Sequence, residues 1–302
     1  MKKIVVAGYA RSPFTLAKKG GLASVRPDRL AAQTVAGLVA RTGVKPEDIE
    51  DLMLGCAFPE GEQGLNMARL VALMAGLPRS VAGVTINRFC GSSMQSIHSA
   101  AGAILMGAGE VFVCAGVESM SRVPMMGYNV LPDPDFAVEL PGAYIGMGDT
   151  AENVAARWGI SRAEQEAFAV ASQEKAAAAK AAGRLKDEIV AITDKKGRTV
   201  DEDGCLRPET TLETLAGLKP AFSATGVVTA GTSSPLTDGA SATLVCSLDY
   251  AEKNGLEPLA VIKSIAVSGC DPEIMGIGPV GASLKAAARA GIDVKSIDVV
   301  EL

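Results

Sequence analysis

A chain of 302 residues exceeds the usual size of one domain, and 48% hydrophobic residues with only 4% aromatic ones point to a large core of Ala, Val, Leu and Ile, the kind formed where helices cover sheets. Lys and Arg number 29 against 34 Asp and Glu, a net charge of −5 without any long basic block, which excludes a nucleic-acid stripe and requires any anionic ligand to be held locally. Six cysteines without CxxC spacing and a single histidine, His98, exclude a zinc cluster, so reduced thiols and no structural metal are expected.

Residues 3–8 read as a first strand, since their apolar run is far too short for a signal peptide or a membrane span; a soluble, cytoplasmic chain is the expectation. Residues 29–41 have helical periodicity and stop at Thr42-Gly43. A strand over 51–54, a glycine-bearing loop over 60–64 and a helix over 66–75 follow. Residues 81–86, the helix after Cys90 and residues 111–115 then make a βαβ unit, which implies a mostly parallel sheet.

The junction Val84-Thr85-Ile86-Asn87-Arg88-Phe89-Cys90-Gly91-Ser92-Ser93-Met94-Gln95 is a strand running through a small-residue turn into a helix, with Cys90 where a nucleophile would stand. Residues 96–107 carry no charge, so this helix is expected to be buried on nearly all sides. Its first-turn N–H groups and dipole favour negative charge there, hence a thiolate. A cysteine in an apolar context also fits a small core residue, and the local pattern alone leaves both readings open. His98 lies two turns further on, about 12 Å along the helix, and is poorly placed to take the Cys90 proton; it reads as a packed residue. Cys114 and Cys246 read as buried strand thiols.

From 120 to 148 prolines and glycines mark a long excursion with weak periodicity. Helices over 150–158 and 162–182 come next, the second opening on Ser161 and Glu164, a capping-box pair. Residues 194–208 read as a surface hairpin or loop. The run 229–240 is rich in small and hydroxyl residues, which suits either close backbone approach to a ligand or a tight turn. A strand over 241–247, a new strand over 259–267, a helix over 282–290 and an apolar run over 297–302 complete the chain.

Four motifs in order resemble the thiolase family, in particular 3-ketoacyl-CoA thiolases and acetyl-CoA acetyltransferases: residues 87–95 around Cys90, Ala115-Gly116-Val117-Glu118-Ser119-Met120-Ser121, Met147-Gly148-Asp149-Thr150-Ala151-Glu152-Asn153, and Lys219-Pro220-Ala221-Phe222 leading to 229–239. The resemblance implies an α/β, layered αβαβα fold of two similar halves, the second incomplete. It divides the chain into an N-terminal domain over 1–258, which includes the excursion and loop region 120–248, and the start of a C-terminal domain over 259–302. It implies a catalytic Cys90 that takes the acyl group from a 3-ketoacyl-CoA and passes it to a second coenzyme A. Coenzyme A is then a substrate, with no permanently bound cofactor. Ser234 matches a contact to the pantetheine arm, Phe222, Ala230 and Leu236 apolar neighbours of that arm, Met147 a methionine near the acyl end, and Arg207 a phosphate-facing arginine. Ordinary packing and turn roles also suit these residue types. A homodimer is implied, with acyl-CoA and coenzyme A as the small-molecule partners and neither nucleic acid nor membrane.

Relatives of this kind continue with an Asn-Glu-Ala-Phe motif, a Gly-His-Pro motif bearing a catalytic histidine and a Cys-x-Gly-Gly-Gly motif bearing a second cysteine. None follows Leu302 here, so the sequence reads as a C-terminally truncated thiolase of weak or no activity, with an exposed apolar face in its second half. Gly146, where short-chain biosynthetic members carry histidine, favours a broader acyl range. A biosynthetic acetoacetyl-CoA thiolase running the reverse Claisen condensation, a condensing ketosynthase and a non-catalytic CoA-binding or assembly module are the competing readings.

Overall fold

Val111–Ser119 (β5) orders the first part of the molecule, because Val111, Phe112, Val113, Cys114, Ala115 and Val117 are all buried and both faces of the strand are therefore covered. Alternation divides it: Val111, Val113, Ala115 and Val117 join one core cluster, Phe112 and Cys114 the other. Asp51–Gly55 (β3) runs parallel to β5 and to Ala82–Ile86 (β4). On the other side, Thr237–Ser247 (β8) is antiparallel to β5, followed by antiparallel Ile4–Arg11 (β1) and the two-residue Ala260–Val261 (β9). Thr15–Leu16 (β2) pairs with the start of β8.

This computed structural model describes residues 2–302. The sheet is mixed, not mostly parallel. β8 reaches β5 from the far end of the 120–236 excursion and enters from the opposite direction, so no crossover helix imposes a parallel pairing. β8 also begins four residues earlier than the pattern suggests, because Thr237 and Asp238 pair with β2.

Pro27–Thr42 (α1) and Met67–Met74 (α2) cover one face of the sheet, packing Leu30, Val35, Leu38, Met67 and Val71 against Val5, Leu52 and Leu54. Ser92–Leu105 (α3) covers the other, with Ala100, Ala101 and Ile104 against Met53, Phe112 and Cys114. The expectation of an α3 buried all round is corrected. Its sheet-facing stripe is buried, but Met94 is 59% and Leu105 48% exposed, since the sheet packs on one side of the helix. Ile192–Thr193 (β6) and Thr199–Val200 (β7) form a small hairpin that starts two residues before the stretch 194–208 read as a hairpin or loop, whose remainder after Val200 forms no strand, and Leu248–Asn254 (α8) follows β8.

The chain divides into two units. The first takes Met1–Val130, Ala179–Leu206 and Pro235–Ile262, and holds this sheet; the second takes Leu131–Ala178, Arg207–Ser234 and Lys263–Leu302. Within the second, the excursion contains Pro134–Glu139 (α4), capped by the Asp133 carboxylate, and an edge-to-face Phe136–Tyr144 pair with centroids 6.1 Å apart. Met147–Trp158 (α5) and Arg162–Ala181 (α6) are the helices expected. The Ser161 N–H donates to Glu164 Oε2 at 2.8 Å and the Glu164 N–H to Ser161 Oγ at 3.3 Å, a formed capping box. Leu212–Ala216 (α7) and Gly278–Ala290 (α9) complete the unit. The strand expected over 259–267 shrinks to β9, whose two residues find Val5 and Val6 as partners. Residues 297–302 form no strand, and Val299, Val300 and Leu302 are exposed. A strand exists only where another backbone meets it, and among the described residues none does there.

Gly55 and Gly116 stand opposite one another in β3 and β5, and the first turn of α3 rests on them. A Cβ at Gly55 would overlap the Ser92 and Ser93 backbone; one at Gly116 would lie 2.6 Å from Ser93 Cβ. Gly55→Ala is therefore expected to cost about 3 kcal/mol in urea unfolding. Gly102→Ala, on an open stretch of the same helix, should be neutral or stabilising by up to about 1 kcal/mol.

Candidate functional site

β4 ends at Ile86 and α3 begins at Ser92, and Cys90 sits between them in a single 3-10 turn, Phe89–Gly91. Cys90 is exposed. Phe89 holds φ at +45°, a left-handed conformation that a bulky residue adopts at a cost of order 1–3 kcal/mol. The turn is closed by short-range bonds. Asn87 Oδ1 accepts the Phe89 N–H at 2.8 Å, the Arg88 N–H donates to Ser92 Oγ at 2.8 Å, and the Ser92 hydroxyl donates to the Phe89 carbonyl at 2.6 Å.

Burial separates this cysteine from most of the others. Burial and the charge of Glu118 push the Cys56 thiol up to about 12, burial and Glu110 push Cys246 up to about 11, and burial raises Cys114 as well. These three stay protonated at neutral pH and are chemically quiet. Cys270 is exposed and Cys205 half-buried. His98 lies on α3 and is held below its ordinary value by burial and by Arg88.

The residues matched to coenzyme A fall in both units. Leu236 belongs to the first, where its carbonyl accepts the Ala17 N–H at 2.8 Å, and its side chain is half exposed. Met147, Arg207, Phe222, Ala230 and Ser234 belong to the second. Met147 opens α5, and the Phe222 ring lies against the next residue, Gly148, at a spot a Cβ would occupy. Ala230 and Ser234 are exposed on the loop that follows. Arg207 stands apart on a turn whose N–H donates to Gln173 Oε1 of α6 at 2.8 Å.

Sequence reasoning assigned no role to the acidic residues that set these loops. Glu152 on α5 accepts the N–H groups of Val227 at 2.9 Å and Val228 at 3.0 Å, and Val228 in turn accepts from Ala221, next to Phe222. Asp238, fully buried, accepts from Ser119 Oγ at 3.0 Å, the Ser121 N–H at 2.9 Å and Ser121 Oγ at 2.5 Å, fastening the start of the excursion to β8. Glu62 binds Arg122 and Arg26. Glu118 and Glu152 both lie inside motifs quoted above, and that placement was the available signal. No cluster of metal-ligating side chains occurs among the described residues, and no helix among them is long and apolar enough to cross a membrane.

A mixed sheet flanked by helices, with an exposed cysteine on the turn into one of them, defines an α/β fold that presents a thiol to solvent. The chain belongs to the thiolase family: residues 4–249 match the thiolase N-terminal domain and residues 256–302 the thiolase C-terminal domain. It is thereby an acyltransferase. It is 46% identical over 314 residues to the 3-ketoacyl-CoA thiolase of Bacillus subtilis (strain 168), covering 100% of this chain and 80% of that protein. The 3-ketoacyl-CoA thiolase of Marinomonas sp. (strain MWYL1) is 47% identical over 305 residues, with 99% and 78% covered. Among solved structures, the acetyl-CoA acetyltransferase of Bacillus anthracis superposes with a TM-score of 0.90 at 38% identity, over 99% of this chain and 79% of that one. Human mitochondrial 3-ketoacyl-CoA thiolase, solved in complex with CoA, gives 0.88 at 35% identity, with 99% and 78% covered.

Glu152→Ala should speed amide exchange at Val227 and Val228 by tenfold or more, the loss of about 1.5–3 kcal/mol of charge-assisted bonding, whereas Glu152→Gln, which still accepts one N–H, should lose less. Glu62 lies below the usual carboxylate range because Arg122 bonds to it and Arg26 adds attraction, against partial burial. A lowered folded-state value means that the stabilisation is complete above the ordinary 4.5 and lost as pH falls through the lowered one. Parent and Glu62→Gln should differ in melting at neutral pH by no more than about 1 kcal/mol, as solvent screens the pair, and converge in acid.

Proposed function

We propose that Cys90 is the acyl-accepting nucleophile of thiolase chemistry. The sulfur attacks the C3 carbonyl of a 3-ketoacyl-CoA, the C2–C3 bond breaks, and its electron pair leaves on C2, which takes up a proton as acetyl-CoA. The acyl group stays on Cys90 as a thioester. The thiol of a second coenzyme A attacks it and carries it away as a shortened acyl-CoA, the cysteine recovering its proton. Sulfur suits the task because its thioester remains reactive toward a thiol. The Cys90 N–H, at the turn into α3, is a donor of the kind a developing oxyanion needs.

The observation that carries this reading is the placement of Cys90: exposed, on a strained turn, at the head of α3, in a chain whose strand-borne thiols, Cys114 and Cys246, are buried and protonated. The names of the relatives support the substrate class, and the relative solved with CoA supports coenzyme A as ligand. In this reading Ser234, Phe222, Ala230, Leu236 and Met147 receive the pantetheine arm and Arg207 a phosphate. The division into domains at 258/259, a homodimer and a cytoplasmic setting belong to the same proposal. Among the described residues β4 forms an edge of the sheet, with Val84 partly exposed, which is consistent with pairing between subunits.

Incubation with an acyl-CoA followed by peptide mass mapping tests it. The acyl mass is expected on the Cys90 peptide alone, to disappear when coenzyme A is added and to be missing in Cys90→Ser; labelling confined to other cysteines would refute the assignment. Ser234→Ala should weaken coenzyme A binding about 5–10-fold in calorimetry, the worth of one hydrogen bond.

A further inference from the structure

A left-handed Phe89 relaxes unless its surroundings hold it, so whatever holds it also sets the direction in which Cys90 points. The side chain nearest in sequence is only the last link. Asn87 accepts the Phe89 N–H through Oδ1, and its Nδ2 donates to the Ala57 carbonyl at 3.0 Å, which fixes the plane of the amide. The other side of the turn meets the same segment: the rings of Phe58 and Phe89 pack with centroids 6.0 Å apart. Residues 56–58 are thus the seat of the strained residue, holding it by backbone and by ring.

That seat has no regular structure of its own. β3 ends at Gly55, and after the Cys56 N–H reaches the Ile86 carbonyl at 3.0 Å the segment leaves the ladder. A carboxylate holds it there. Glu118 Oε2 accepts the Ala57 N–H at 2.7 Å, while Oε1 accepts Gln63 Nε2 at 2.6 Å. Gln63, fully buried, also donates to the Phe58 carbonyl at 2.8 Å and accepts the Ser119 N–H at 2.8 Å. Both oxygens of Glu118 are therefore committed to residues 56–63, and the Ala57 peptide passes the constraint on: its N–H to Glu118, its neighbouring carbonyl to Asn87.

We propose that Glu118 is a positioning residue for Cys90, acting through the Ala57 backbone and Asn87 to keep Phe89 left-handed and the thiol at the head of α3. The proposal rests on the reading of Cys90 as the reactive thiol. Glu118 touches neither substrate nor sulfur of Cys90 in this role. What it contributes is an acceptor, fixed by charge-assisted bonds, at the start of a relay of three hydrogen bonds.

Per-residue alkylation by iodoacetamide, followed by mass spectrometry on the 302-residue chain, gives a test with an internal standard, because Cys270 is exposed and outside the relay. In the parent, Cys90 should react about tenfold or more faster than Cys270. Asn87→Ala and Glu118→Ala should each lower that ratio about fivefold or more, with melting recorded alongside, since a small misplacement of a reacting group is costly. Glu118→Gln keeps an acceptor for Ala57 and should stay within about twofold of the parent. If Glu118→Ala does not fold, Glu118→Asp decides, its carboxylate being one methylene too short: a lowered ratio supports the relay and an unchanged one overturns it. An unchanged ratio in folded Glu118→Ala or in Asn87→Ala overturns the relay while leaving the reactive thiol standing, as does a loss in Glu118→Gln equal to that in Glu118→Ala. A parent ratio near one overturns both the relay and the reading of Cys90 beneath it.

Discussion

The seating of α3 on the sheet is the contact from which the geometry of the site follows. Two glycines facing each other in β3 and β5 leave a gap just deep enough for the Ser92–Ser93 backbone. With the first turn of the helix pressed to that depth, the chain coming from the end of β4 has five residues, 87–91, in which to turn. The left-handed Phe89 is how it does so. Close packing over the sheet and strain beside Cys90 are one arrangement viewed from two sides.

Carboxylates do much of the remaining work, and they do it on backbone. Glu118 holds Ala57, Glu152 holds Val227 and Val228, and Asp238 holds Ser121. In each case loop amides outside the ladders find an acceptor on a regular element. A buried N–H without a partner costs about 1–3 kcal/mol, so each carboxylate settles where a loop runs as well as how tightly it is held. The loops that carry Cys90 and the small-residue run 229–234 are, in this sense, extensions of β5 and α5.

Much of this architecture was legible in the chain and some was not, for identifiable reasons. β5 announced itself because a strand covered on both faces is an unbroken apolar run, and α1 because periodicity and a terminal glycine agree. Cys90 was readable at a strand-to-helix junction, though it stands in a turn ahead of the helix. The antiparallel entry of β8 was hidden, since direction depends on where a distant segment returns. The runs 259–267 and 297–302 have the composition of strands, but for most of them no neighbouring backbone is present among the described residues. Glu118 and Glu152 were visible as letters in motifs and silent as to role. An acidic residue reads alike whether it faces water or an amide some 60 to 75 positions away.

The position of β8 has a consequence for how the molecule comes into being. It occupies the middle of the sheet, yet it is bonded to β5 across a separation such as the 119 positions between Ser119 and Asp238. Closing a loop of that length costs about 4 kcal/mol in chain entropy before any contact rewards it. On an elongating chain, β3, β4 and β5 emerge long before their neighbour exists, with one flank of β5 lacking its partner and its apolar faces only half enclosed. The sheet is therefore completed from the inside, late, by a strand arriving from far downstream. Slow, non-local folding with a window for misassembly is the price of a β5 that ends up so thoroughly enclosed.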